Sequence, residues 1–213
     1  MRGFLKSLLD LIYRRKCYCC SSSRENKLLC SKCYDELVKC NPLPSKFVIG
    51  VNVFCAGIYN KHLQKLIRGL KYHNKRELAY YIAQFMYDYW QELGIEGDFE
   101  IVPVPLHKKR MKKRKYNQVE LIAEEFAKLT GYSVNMDLVK RVKDTLPQYK
   151  LSRLERLDNL KGAFVVDKKY YSGKRLLLLD DISTTGSTFE MMINELKYNG
   201  INNILCFSAA TPF

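Results

Sequence analysis

The sequence lacks long apolar runs, internal repeats and low-complexity tracts, and each absence narrows the class of protein. Without roughly 18 consecutive apolar residues, it contains no candidate membrane span. It also lacks the ordered charged, apolar and cleavage regions of a signal peptide, so we expect a soluble, cytoplasmic protein. The 213 residues, of which 47% are hydrophobic and 27% charged, suffice for one well-packed core and a small appended module.

Acidic residues are scarce, with 22 Asp and Glu against 36 Lys and Arg. The formal net charge of +14 is unusual for an enzyme whose only ligands are small anionic metabolites. Such an excess favours a polyanionic partner, such as single-stranded nucleic acid. A basic surface without a dedicated ligand is the alternative, because charge alone does not identify a partner.

The first segment of the chain carries an apolar stripe at helical spacing. Its members are Leu5, Leu8, Leu9 and Ile12. This pattern predicts an N-terminal helix that docks on the protein's own core, with binding to a membrane surface as the less favoured alternative.

Four of the eight cysteines form two closely spaced pairs. Two residues separate Cys17 from Cys20 and Cys30 from Cys33, and nine residues lie between the pairs. Two such pairs of thiolates complete a tetrahedral Zn²⁺ site. The segment between the pairs is too polar to build a core, so we expect structural zinc to stabilise this module.

The other four cysteines fall outside this pattern. Cys19 and Cys40 lack the two-residue spacing, but each lies near enough in the sequence to substitute for a zinc ligand. Cys55 and Cys206 occur in apolar, strand-like segments, which predicts buried structural thiols. Disulfides are the less favoured alternative, because they need an oxidising compartment and no export signal is visible.

A change in composition near residues 41–46 divides the chain into an N-terminal module, residues 1–45, and a main domain, residues 46–213. Residues 47–59 predict one or two strands, and two apolar helical stripes follow between residues 63 and 89. Further strand-like segments occupy residues 100–106, 134–142, 163–166, 175–179 and 204–208. The alternation predicts an α/β fold with a doubly wound, mainly parallel sheet.

The most informative segment is an apolar strand that ends in two acids and a hydroxyl-rich loop. Asp180 and Asp181 end the strand, and the loop contains Thr184, Thr185, Gly186, Ser187 and Thr188. Apolar spacing after the loop predicts that Ser187 and Thr188 open a helix. A helix start binds phosphate through backbone N–H groups, and paired carboxylates suit ribose hydroxyls or Mg²⁺. The segment predicts a sugar-phosphate site, with an ordinary N-capped helix as the alternative.

Residues 107–118 contain the densest positive charge of the chain, with seven Lys and Arg among twelve residues and no acid. We expect a polar loop here, after a strand that two prolines interrupt. Its cations suit a pyrophosphate or a nucleic-acid backbone, with Tyr116 or Tyr72 stacking on a base. The candidates for these roles are Lys71, His107, Lys108, Lys109, Arg110, Arg114, Tyr116, Asn117 and Gln118.

These segments resemble the type I phosphoribosyltransferases and, more narrowly, the ComF family of competence-associated proteins. The narrower resemblance rests on the two cysteine pairs, Pro103-Val104-Pro105-Leu106, Arg114 with Tyr116-Asn117-Gln118, and the string from Asp180 to Thr188. It implies a phosphoribosyltransferase-like fold with an N-terminal zinc finger. It also implies binding of phosphoribosyl pyrophosphate with Mg²⁺, and handling of incoming single-stranded DNA in natural transformation alongside other DNA-uptake proteins.

The resemblance also implies roles for individual residues. Asp180 and Asp181 would hold the ribose, residues 184–188 the 5′-phosphate, and the basic segment the departing pyrophosphate. Lys71 would reach a phosphate, although a solvated loop is an equally good interpretation of its segment.

Three further positions bear on the same site. Asn117 and Gln118 would fix the loop or touch the substrate, unless they are ordinary polar residues at a helix start. Lys115 stands where the family has glycine, and lysine disfavours the positive φ that glycine permits.

The sequence leaves open whether a phosphoribosyl group is transferred. Purine-salvage relatives of the hypoxanthine type carry an acid where this chain has Thr184, so no obvious group accepts a proton from a purine. A conventional nucleobase or amine phosphoribosyltransferase of nucleotide metabolism is the alternative function, and a structural adaptor held by zinc is a third.

Overall fold

The computed structural model describes residues 14–143 and 162–212. The predicted N-terminal helix, with its stripe from Leu5 to Ile12, lies outside these residues. Among the helices that are described, none has both the length and the apolar character needed to cross a bilayer.

A six-stranded sheet forms the centre of the fold. Its strands are β1 (Lys46–Val48), β2 (Val51–Ile58), β3 (Phe99–Pro103), β4 (Ser133–Val134), β7 (Arg175–Ile182) and β8 (Ile204–Thr211). They lie in the order β1-β2-β8-β7-β3-β4, and only the β1–β2 pair is antiparallel. The prediction of an α/β fold with a mainly parallel sheet is confirmed. The phosphoribosyltransferase-like fold and the division at residue 45 stay predictions.

Helices cover both faces of this sheet. The described helices are α1 (Ser31–Asp35), α2 (Lys61–Tyr72), α3 (Leu78–Leu93), α4 (Lys108–Arg114), α5 (Gln118–Thr130) and α6 (Ser187–Tyr198). Of these, α2, α3, α5 and α6 pack on the sheet. Leu177 and Leu179 of β7 pack in one cluster with α2, α3 and α5, whereas Leu176 and Leu178 pack in a second cluster with α6. Successive strand side chains point to opposite faces, and both faces are covered, which explains why residues 176–179 of β7 are all leucine.

Two short strands form a separate antiparallel pair, β5 (Val139–Arg141) with β6 (Phe164–Val166). The expectation that these segments extend the parallel sheet is therefore wrong. Val139, Phe164 and Val166 are buried in the cluster beneath α6, so the pair packs on a face of the sheet instead of along its edge.

The connections after β3 and β7 leave in opposite directions. From β3 the chain passes through α5 to β4, which lies on one side of the adjacent pair β3 and β7. From β7 it passes through α6 to β8, which lies on the opposite side of that pair. The two crossover helices lie on opposite faces of the sheet. This arrangement opens a crevice at the carboxyl ends of β3 and β7, which is where open α/β sheets bind ligands.

Candidate functional site

A cleft of about 720 Å³ lies at this switch point between β3 and β7. It brings together the acid pair, the hydroxyl loop and part of the basic segment. The polar residues that line it include Lys71, Tyr72, Arg110, Lys113, Arg114, Lys115, Gln118, Arg141, Asp180, Asp181, Thr184 and Thr188. His107, Lys108 and Lys109 are not among the lining residues.

Asp180 is a buried carboxyl whose charge is disfavoured. Burial, followed by the neighbouring Asp181 carboxylate, raises the pKa of Asp180 to about 7, against the opposing effects of Lys71 and Arg141. Its Oδ1 accepts the backbone N–H of Asp181 at 2.8 Å. The group therefore exchanges a proton near neutral pH.

Asp181 is held by one side chain on each carboxylate oxygen. Lys71 Nζ lies 2.8 Å from Oδ1, and Gln118 Nε2 donates to Oδ2 at 2.8 Å. Burial opposes the charge of Lys71, but the attraction of Asp181 outweighs it and raises the pKa of the lysine. Lys71 belongs to the last turn of α2, so the alternative of a solvated loop is wrong for this residue, although residues 73–76 after it are exposed and non-helical.

Gln118 links the acid pair to the basic segment. Its Oε1 accepts a hydrogen bond from Arg114 Nη1, and the Arg114 guanidinium lies 5.5 Å from the centre of the Tyr72 ring. Asn117, in contrast, caps α5. Its Oδ1 accepts the N–H of Val119 at 3.0 Å and its Nδ2 donates to the Val104 carbonyl at 3.0 Å. Asn117 thus has the helix-start role, and Gln118 reaches the site.

The basic segment forms a short helix, α4, where a polar loop was expected. Its residues are good helix formers with no glycine or proline among them, and His107 Nδ1 accepts the N–H of Lys109 at 3.4 Å. The helix ends at Arg114, and the next residue, Lys115, adopts φ 70°. Lysine thus occupies the left-handed conformation in spite of its side chain.

Only one of the two tyrosines proposed to stack on a base is accessible. Tyr116 is buried, donates its hydroxyl to the Leu70 carbonyl, and carries the Arg76 guanidinium 4.5 Å from its ring centre. Tyr72 is 62% exposed at the cleft. The prediction of base stacking at this cleft therefore depends on Tyr72 alone.

The hydroxyl loop turns into α6 as the sequence predicted. Gly186 adopts φ 83° and is followed by Ser187, the first helical residue. Thr185 Oγ1 and Ser187 Oγ share a hydrogen bond of 2.6 Å. A Cβ at Gly186 would lie 3.0 Å from Val48 Cγ2, so both the backbone angle and the close approach of β1 favour glycine here.

Two residues of this region were not identified from the sequence. Arg141 of β5 lines the cleft and lies close enough to oppose the rise in the Asp180 pKa. Lys46 of β1 donates from Nζ to the carbonyls of Ser183, at 2.8 Å, and Thr184. Neither belongs to a motif, and only the packing of distant segments brings them here.

The four paired cysteines form a candidate metal centre. The Sγ atoms of Cys17, Cys20, Cys30 and Cys33 all lie within 4.8 Å of one another, and those of Cys20 and Cys30 are 3.7 Å apart. A tetrahedral site with Zn–S bonds of about 2.3 Å requires sulfurs about 3.8 Å apart. The cluster therefore fits a metal such as Zn²⁺.

The surroundings of this cluster are consistent with bound metal. Cys17 Sγ accepts the backbone N–H of Cys30 at 3.4 Å, a contact that favours thiolate. Cys19 and Cys40 do not belong to the cluster found among the described residues. Cys55 and Cys206 are fully buried in the sheet, which confirms them as structural thiols.

No family model matches the sequence, but several known proteins with related names are similar to it over most of their length. Competence protein F of Haemophilus influenzae is 30% identical over an alignment of 210 positions that covers 91% of this chain and 89% of that protein. DNA utilization protein YhgH of Escherichia coli is 27% identical over 85% of this chain and 83% of its own. Competence protein ComFC of Streptococcus pneumoniae is 27% identical over 84% of this chain and 75% of its own. Because these similarities extend over most of each protein, the chain belongs to the ComF family of competence-associated proteins.

Proposed function

We propose that this protein handles incoming single-stranded DNA in natural transformation and binds phosphoribosyl pyrophosphate with Mg²⁺ in its cleft. Two relatives are named as competence proteins and a third as a DNA utilization protein. The observation that carries the proposal is the meeting of the acid pair, the start of α6 and the basic helix α4 around one cleft.

Each wall of the cleft suits one part of phosphoribosyl pyrophosphate. Asp180 and Asp181 offer oxygen ligands for ribose hydroxyls or for Mg²⁺, which would screen the pyrophosphate charge. The loop of residues 184–188 and the start of α6 suit the 5′-phosphate. Arg110, Lys113 and Arg114 face the same space and suit the pyrophosphate.

Single-stranded DNA would bind along α4. This helix buries none of its side chains, and three of its basic residues line the cleft beside the exposed ring of Tyr72. A basic track next to an aromatic ring is the combination that binds single strands without reading their sequence.

Calorimetry tests the sugar-phosphate site. We expect the wild type to bind phosphoribosyl pyrophosphate with Mg²⁺, and Asp181→Asn to bind at least about tenfold more weakly, since a charged ligand to the sugar or metal is lost. Asp98→Asn is the matched control, because Asp98 is exposed just before the amino end of β3, where it pairs with Lys174 at 2.7 Å. Absence of binding by the wild type would contradict the proposal and leave a structural adaptor as the remaining function.

Salt dependence tests the DNA site. Each phosphate contact contributes a slope of about −0.7 to the plot of log affinity against log salt concentration. We expect Lys109→Gln/Lys113→Gln to reduce the magnitude of that slope by about 1.4. The control Lys128→Gln/Lys169→Gln removes two exposed lysines that lie outside α4 and pair with Glu125 and Asp167, and it should leave the slope unchanged. Oligonucleotide binding that does not respond to salt would contradict the proposal.

A conventional nucleobase or amine phosphoribosyltransferase is the second candidate. The observation that favours it is Asp180, since a carboxyl with a pKa of about 7 can hold or accept a proton at neutral pH. In such an enzyme the bond from ribose C1 to pyrophosphate breaks as the acceptor bonds to C1, and the protein positions the reactants and neutralises charge. Pyrophosphate release that requires a defined acceptor and is lost in Asp181→Asn would establish this function.

A further inference from the structure

We propose that Lys46 is a positioning residue that orients the phosphate-binding loop, residues 183–188, from behind. The inference rests on the proposed function and assigns a role in it to the β1–β2 hairpin. Lys46 lies outside the cleft, and its Nζ donates to two successive carbonyls of the loop, those of Ser183 (2.8 Å) and Thr184.

Because a peptide bond is planar, these two contacts fix the orientation of two peptide units of the loop. The Ser183 carbonyl shares its peptide unit with the N–H of Thr184, and the Thr184 carbonyl shares its unit with the N–H of Thr185. No described peptide bond is cis, and in a trans unit the C=O and N–H point in opposite directions. Holding both carbonyls on Lys46 therefore turns both N–H groups away from the hairpin.

The side of the loop that faces away from the hairpin borders the cleft in which we propose that the sugar phosphate binds. Thr184 and Thr188 line the cleft, whereas Thr185 lines a smaller cavity of about 470 Å³ together with Lys46 and Val48. Successive N–H groups on one side of a loop form a concave seat for an anion. With both N–H groups facing the cleft, the loop presents such a seat to a phosphate.

The smaller cavity also shows why an ammonium group is needed at this position. Val48 approaches Gly186 closely, but a cavity lies between Thr185 and the residues around Lys46, so packing alone does not hold the peptides of residues 183–185 in one orientation. The hairpin itself is anchored, because Lys197 Nζ of α6 donates to the Ile49 carbonyl at 2.6 Å in the turn between β1 and β2. Lys46 thus links the loop to a fixed support.

The test separates binding of the sugar phosphate from binding of pyrophosphate. With ribose 5-phosphate as the probe, we expect Lys46→Met to bind at least tenfold more weakly than the wild type. Affinity for Mg²⁺-pyrophosphate, whose proposed contacts lie on α4, should change by less than twofold. Lys46→Arg, which keeps the charge and the donors, should recover most of the lost affinity. Lys39→Met is the charge-matched control, since Lys39 pairs with Glu92 at the surface.

Each outcome decides the inference. Equal affinity of the wild type and Lys46→Met for ribose 5-phosphate would overturn it while leaving the proposed function intact. An equal loss for both probes would also overturn it, because the residue would then only stabilise the fold. If the wild type binds neither probe nor phosphoribosyl pyrophosphate, the proposed function fails as well. If Lys46→Met does not fold, Lys46→Gln provides the same comparison.

Discussion

The carboxyl of Asp180 has three charged neighbours, one of which opposes its negative charge while two favour it. Asp181 follows it in the chain and repels the charged form, whereas Lys71 and Arg141 favour that form. Burial adds to the repulsion and decides the outcome, so the pKa rises to about 7. An ion pair of Asp181 with Lys71 thus coexists with a carboxyl that is easily protonated.

The stability of the protein should depend on pH through Asp180. In the unfolded chain its pKa is about 4, and in the folded protein it is about 7. Between these values the folded state binds the extra proton, so the free energy of unfolding falls as pH rises through this window and stays reduced above it. Asp180→Asn removes the unfavourable free energy of burying this charge. We therefore expect its melting temperature to exceed that of the wild type by on the order of 5 °C at pH 8, and by less at pH 5.

Thermal denaturation across this pH range checks the prediction, with Asp98→Asn as the exposed control. The control should show no pH-dependent gain. The same gain for Asp180→Asn at both pH values would show that the charge of Asp180 is not the cause.

The backbone at Lys115 gives a second prediction. A left-handed conformation costs an ordinary residue about 1–2 kcal/mol, whereas glycine adopts it freely. Glycine also raises the conformational entropy of the unfolded chain, which offsets part of this stabilisation. We therefore expect Lys115→Gly to raise the free energy of unfolding by about 0.5–1 kcal/mol. Denaturant titration measures this change. Lys115→Ala keeps the Cβ and should give no gain, so an equal gain in both variants would argue for a charge effect.

Among the helices and strands, those with a strong local pattern agree with the sequence. The apolar stripes of α2 and α3, the leucine run of β7 and the start of α6 were all predicted. The helix α4 was missed because it has no apolar face and buries no side chain. The propensity of lysine and arginine for helix was the available signal, and periodicity does not detect it.

The cysteine module should depend on its metal for stability. Cys17, Leu29, Cys30, Cys33 and Leu37 belong to the same hydrophobic cluster as α2 and α3. Metal loss should therefore also weaken the packing of those helices. We expect about one Zn²⁺ per chain by atomic emission, and chelation should lower the melting temperature by on the order of 10 °C.

Two cysteine variants separate ligation from general thiol chemistry. Cys33→Ser should lose the metal and most of the associated stability, because it removes one of four clustered sulfurs. Cys19→Ser should retain both, since Cys19 is not part of the cluster. Loss of zinc from Cys19→Ser, or its retention in Cys33→Ser, would show that the ligand set is different.

In the folded molecule the proposed ligands share one set of cations. Arg110, Lys113 and Arg114 line the cleft, and the same α4 carries the proposed DNA contacts. Through Gln118, Arg114 is also connected to Asp181. Two polyanions that need these side chains should exclude each other.

We therefore predict competition between phosphoribosyl pyrophosphate and single-stranded DNA. An oligonucleotide at ten times its own Kd should raise the apparent Kd of phosphoribosyl pyrophosphate by about tenfold. Calorimetry of the wild type and Asp180→Asn, with and without the oligonucleotide, measures this effect. A peptide nucleic acid of the same sequence lacks phosphates and should not compete. Unchanged or tighter binding with the oligonucleotide would show that the sites are separate or cooperative.

The sequence by itself determined the features that depend on near neighbours. The spacing of Cys17, Cys20, Cys30 and Cys33 identified the cysteine cluster that fits a metal, and the run through Asp180 and Asp181 identified the strand, acid pair and loop. Ligand spacing and apolar periodicity act over a few residues, so both can be read directly from the chain.

Only the tertiary structure decided which distant side chains complete the site. Lys71 lies 110 positions from Asp181, Gln118 lies 63 positions from it, and Lys46 lies 137 positions from Ser183. These contacts follow from the strand order of the sheet, which places β3 beside β7, and from the hairpin at its edge. No local pattern encodes that order, because it depends on how separate apolar faces pack together.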